Sequence, residues 1–172
     1  MMIKNEQQYQ NSLAWLQRFE QSIAELDNNE QLKAEPKRWK LHRDSYQSQV
    51  DELKSEITEY ERLINWDTSK PLKIQVDSLN KLPDALIKVR LAAKITQREL
   101  ADRLGIAEQR VKEYEDTDYQ CASFVEILEV STALGVEFET ATVQVDFAEI
   151  EAVKKSVDKW RKEKMNIKTK AS

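Results

Sequence analysis

The chain has 172 residues, 34% charged and 40% hydrophobic, with two glycines and three prolines; so few helix breakers predict a mainly α protein. A single cysteine, Cys121, and a single histidine, His42, exclude an intramolecular disulfide and leave too few ligands for a zinc or iron centre, so no metal and no cofactor is expected. No apolar run approaches the ~20 residues of a membrane span and the start MMIKNEQQYQ is polar, so a cytoplasmic protein with no membrane partner is expected.

Residues 1–67 carry two helical patterns. In the first, Tyr9, Leu13, Leu16, Phe19 or Glu20, Ile23 and Leu26 recur at steps of three and four, with Trp15 alongside. In the second, Trp39, Tyr46, Val50, Leu53, Ile57, Tyr60 and Ile64 keep a near-heptad. Between them DNNEQLKAEPK holds turn formers and Pro36, which predicts a reversal and hence an antiparallel, coiled-coil-like hairpin about 40 Å long. Two helices make a thin core, so Val50, Leu53, Ile57, Tyr60 and Ile64 are candidates for dimerisation or partner binding; the same stripe serves equally to hold the hairpin together.

Residues 68–81 are turn-rich and form the linker. Within the surrounding stretch Leu72, Ile74 and Val76 alternate with polar residues. A second alternation, VEFETATVQV, follows Gly135, and the two are expected to form a short strand pair. Residues 82–135 read as a set of short helices. Pro83 suits a first helical position, Thr96 with Glu99 and Ser123 with Glu126 form capping boxes, and Gly105 and Gly135 close helices. Residues 136–172 supply the second alternation and a C-terminal helix with an apolar stripe, Phe147, Ile150, Val153, Val157 and Trp160 or Arg161. Past that stripe the chain turns basic, with frayed final residues expected.

TQRELADRLGIAEQRVKEYE places Gly105 between two short amphipathic runs, the pattern of a tight helix-turn-helix. Leu100, Ala101, Leu104, Ile106 and Val111 provide the buried contact. The net charge of −4 hides a basic excess between Lys81 and Arg103 and an acidic segment from Glu113 to Glu139. Gln97 sits where a helix N-terminus can hold a phosphate, with Lys94, Arg98 and Lys112 as nearby basic groups. Glu108, Gln109 and Arg110 would open the following helix, where such side chains can address cytosine, adenine and guanine edges; they are equally common on any exposed helix.

LIKVRLAAKITQRELADRLGIAEQRVKEYE, with ILEVSTALG behind it, resembles the DNA-binding domain of the Xre or lambda-repressor-like family, which includes antitoxins of type II toxin–antitoxin modules. The likeness is carried by Thr96 and Gln97, Leu100 and Ala101, Leu104 and Gly105, Val111 and Glu115. It implies an ion pair between Arg90 and Glu115 and DNA contacts from Lys94, Gln97, Arg98, Glu108, Gln109, Arg110 and Lys112. It also implies a homodimeric transcriptional repressor on double-stranded operator DNA, an antitoxin with a cognate toxin as second partner. Ala107 departs from the Ser or Thr that often caps the recognition helix, and Glu113, Asp116 and Asp118 bring negative charge near it. With no Gly-rich phosphate loop and no nucleophile–base set, no catalytic residue is expected; the alternative is an interaction adaptor that uses the scaffold without DNA.

Overall fold

The computed structural model describes residues 2–170, with side chains through Arg161. The described residues form α-helices, one 3₁₀ turn and no strand, and they divide into two compact units, one ending at Glu137 and one beginning at Phe138.

The first unit opens with a hairpin. Helix α1 (Glu6–Asp27) starts at Asn5, whose side chain accepts from the Gln8 amide at 2.9 Å. The reversal holds a short helix, α2 (Glu30–Lys33), capped by Asn29, and then Pro36 opens α3 (Pro36–Ile64). The apolar stripes face one another: Tyr9 stacks on Tyr60 at 5.0 Å between ring centroids, and Phe19 meets Tyr46 at 5.8 Å. The Trp39 indole donates to the Leu26 carbonyl at 3.2 Å near the bend. Ion pairs Lys54–Glu20 at 2.7 Å and Arg43–Asp27 at 3.1 Å flank the seam. No residue of α1 is fully buried, whereas α3 buries Val50, Ile57, Tyr60 and Leu63. The base of the hairpin is therefore its densely packed part.

That base is shared with the helices that follow. A 3₁₀ turn at Leu79–Lys81 leads into α4 (Leu82–Ala92), then α5 (Gln97–Leu104), α6 (Glu108–Asp116) and α7 (Phe124–Ala133). One core joins Ile3, Ile57, Tyr60 and Leu63 to Leu82, Leu86, Ile87, Leu91, Leu100, Val111, Tyr114 and Val130. Lys88 of α4 reaches Glu59 of α3 at 3.1 Å; hydrogen bonding from Arg62, and then from Lys88, holds the Glu59 carboxyl at about 2. Residue 67, expected as the end of a separate hairpin domain, lies inside this unit.

The expected strand pair does not form. Leu72, Ile74 and Val76 do alternate half-buried with exposed neighbours, but Leu72 and Val76 lie on the helical core and no ladder runs beside them. Residues 137–145 are exposed and without regular secondary structure. Period-two burial here reports an extended segment on a helical surface, because pleated alternation needs only one apolar face and not a paired edge. The second unit contains α8 (Phe147–Lys170), and the Asp146 side chain accepts from the Ala148 and Glu149 amides at its start. The charges from Lys162 to Lys170 that make the chain end basic, and the frayed end expected there, lie outside the described side chains.

Candidate nucleic-acid interface

The turn between α5 and α6 follows from its residues. Thr96 accepts from the Glu99 amide and the Glu99 carboxylate accepts from the Thr96 amide, which closes a capping box and starts α5. Gly105 then takes a left-handed φ of 68°, and the Ile106 amide donates to the Ala101 carbonyl at 3.1 Å. A side chain at that φ would strain the backbone, which is why the glycine is there. Leu100 and Ala101 of α5 and Val111 of α6 are buried against each other's elements, so the angle between the helices is fixed by packing. Ala107 has the extended backbone of an N-cap but offers no side-chain acceptor; the Arg110 amide donates to the Ala107 carbonyl at 2.9 Å, which leaves the Glu108 and Gln109 amides to an outside acceptor.

Behind this turn lies a buried polar knot. Arg90, on α4, donates from Nε and Nη2 to the two carboxylate oxygens of Glu115 at 2.5 and 2.7 Å, and also to the carbonyls of Ile95 at 2.9 Å and Lys4 at 2.7 Å. Gln97 turns inward, its amide donating to Glu115 Oε2 at 2.7 Å. Lys4 is itself buried; its Nζ donates to the Glu115 carbonyl and pairs with Asp118 at 2.6 Å. The knot ties α4, α5 and α6 to the segment before α1. Sequence analysis missed Lys4, because a lysine four residues from the start carries no pattern that distinguishes a lid from a tail.

The other sequence-predicted residues fall into two groups. Lys94, Gln97, Arg98 and Glu108 line one shallow depression together with Asn5 and Tyr60. Lys94 and Arg98 are exposed, and neither is in an ion pair within 4 Å among the described residues. Lys112 pairs with Glu108 at 2.7 Å, and this bond, aided by Arg98, keeps the Glu108 carboxyl below its usual range. Along α6, Gln109 is exposed, while Arg110 bends toward α7. The Arg110 guanidinium lies 4.7 Å from the Tyr114 ring, pairs with Glu113 at 3.5 Å and Glu126 at 3.4 Å, and reaches the Cys121 carbonyl at 3.3 Å. Glu126 is held at about 2, chiefly by the Ser123 amide of its own capping box and then by the Tyr114 hydroxyl. That cluster was invisible in sequence, since each member reads as an ordinary surface residue.

The residues assigned in sequence to dimerisation sit elsewhere. Val50, Ile57 and Tyr60 are buried within the chain, and Leu53 and Ile64 are half-buried. Tyr60 faces α1 through Tyr9, and Ile57 and Tyr60 belong to the core shared with the helix-turn-helix. Val50, Ile57 and Tyr60 are thus packed inside the chain, whereas Leu53 and Ile64 keep part of their surface open.

Residues 86–140, about a third of the chain, match the family model described as Helix-turn-helix. No curated protein and no solved structure matches the chain.

Proposed function

From an Xre-like helix-turn-helix domain at residues 86–140, we propose that the protein is a sequence-specific DNA-binding transcriptional repressor that acts on an operator as two copies. The observation that carries this is the α5–Gly105–α6 turn, with Gln109 exposed on the first turn of an uncapped α6 and Lys94 and Arg98 exposed beside it. In such a motif the second helix enters the major groove and the first crosses the backbone. Gln109 is then the base reader, with adenine as its natural bidentate partner, and Lys94, Arg98 and Lys112 neutralise phosphates. Arg110, held by Glu126, orients the start of α6 instead of reading a base. Gln97, held by Glu115, acts through its backbone amide at the α5 N-terminus. The finer assignment, an antitoxin that represses its own operon and binds a toxin, is supported by the resemblance of the Leu86–Gly135 segment to that family.

The test is a binding titration against the DNA upstream of the protein's own gene at several salt concentrations. Affinity should fall steeply with salt, and Arg98→Ala should weaken binding to all sequences and lower the salt slope by about one for each bound copy. Gln109→Ala should lose operator preference by roughly 5- to 100-fold, the worth of one bidentate base contact. A protein that ignores this DNA at low salt would instead be an interaction adaptor. The exposed Phe124, Val125 and Leu128 on α7 are the feature that favours that second reading.

A further inference from the structure

Helix α8 carries an exposed apolar stripe that the helix-turn-helix does not explain. Phe147, Ile150, Val153, Val157 and Trp160 are between 40% and 76% exposed and recur at steps of three and four. From Ile150 the spacing is a heptad: Ile150 and Val157 fall at a, and Val153 and Trp160 at d. The helix is 24 residues long, about 36 Å, a little over three heptads. Ile150 and Val157 supply the β-branched residues that two-stranded coils use at a, and Val153 and Trp160 stand at d in place of the usual Leu.

The charges beside the stripe choose the partner and its direction. Glu149 falls at g, and Lys154 and Arg161 at e. In a parallel pair each g position faces the e position five residues on in the other helix, which sets Glu149 against Lys154 of the second copy. In an antiparallel pair g meets g and e meets e, which would bring Lys154 toward Lys154. Within one helix Lys154 has only a loose contact with Glu151, at 3.8 Å, so it is available to an outside carboxylate. We infer that α8 is the homodimer seam: two copies of the chain join through a parallel, two-stranded coiled coil of their C-terminal helices. This deepens the two-copy repressor reading, and it rests on α8 alone.

Sedimentation velocity on the full chain at micromolar concentration, without DNA, tests it. The wild type should sediment as a dimer and Val157→Glu as a monomer whose first unit melts unchanged. Glu149→Lys should raise the dimer Kd by roughly threefold to tenfold, the effect of turning two exposed ion pairs repulsive. Glu149→Lys with Lys154→Glu should restore it, and Lys155→Glu, at the outward f position, should leave it unchanged. A monomeric wild type would overturn the inference, as would a dimer that survives Val157→Glu, tightening by Glu149→Lys, or an α8 that gains helix only on anionic phospholipid vesicles. The DNA titration is independent of these outcomes. A dimer that ignores DNA removes the proposed function and keeps the seam, and a monomer that binds DNA does the reverse.

Discussion

Arg90 and Glu115 stand 25 residues apart in sequence and are both out of contact with water. A buried ion pair is tolerable only when every donor and acceptor is satisfied, because desolvating two charges costs several kcal/mol each. Here the guanidinium also serves the Ile95 and Lys4 carbonyls, and the carboxylate also takes the Gln97 amide. Arg90→Met leaves an uncompensated carboxylate and should cost about 3–5 kcal/mol; Glu115→Leu should cost a similar amount for the opposite reason. The double variant carries neither charge but still orphans two carbonyls and the Gln97 amide, so it should be no worse than Glu115→Leu alone. Urea unfolding of the three variants checks this, and additive losses would show that the two groups do not act as a pair. Their partnership was implied by family resemblance and not by the residues themselves, since nothing local in sequence says that position 90 faces position 115.

At the scale of elements, helix boundaries were legible wherever a local signal fixes a dihedral angle. Thr96 with Glu99 and Ser123 with Glu126 form the expected capping boxes, and Gly105 and Gly135 take the expected positive φ of 68° and 66°. Boundaries set by tertiary contact were not legible. Lys94, Asp118 and Tyr119 hold positive φ without being glycine, with Lys4 pinning Asp118, and no short-range rule places those reversals. The strand pair failed for the same reason, since whether an extended segment finds an edge depends on the rest of the fold. Ala107 offers a direct test of the local rules. It has φ −70° and ψ 141°, close to the −71° and 160° of Thr96, so a hydroxyl there should reach an open amide of α6. Ala107→Ser should therefore stabilise the protein by about 0.5–2 kcal/mol in a thermal melt. An unchanged or lower melting temperature would mean that the α6 amides already have acceptors.

At the scale of the whole molecule, hydrophobic periodicity found both arms of the hairpin but could not say what their inner faces touch. The same stripe that reads as a free heptad seam is used in part by Tyr9 of α1 and in part by the core of the helix-turn-helix. This changes what the hairpin is for: its base completes the small domain. Deleting residues 1–67 would remove Ile3, Ile57, Tyr60 and Leu63 from that core, together with the Lys4 carbonyl from Arg90. Four buried side chains at about 1.5–3 kcal/mol each amount to roughly 6–12 kcal/mol, comparable with the ~5–15 kcal/mol that holds a whole domain folded. The fragment beginning at Thr68 should accordingly lose its dispersed amide spectrum and its cooperative melt at 25 °C. A fragment that keeps both would show that residues 68–137 carry a sufficient core of their own, and that the hairpin is a separable arm.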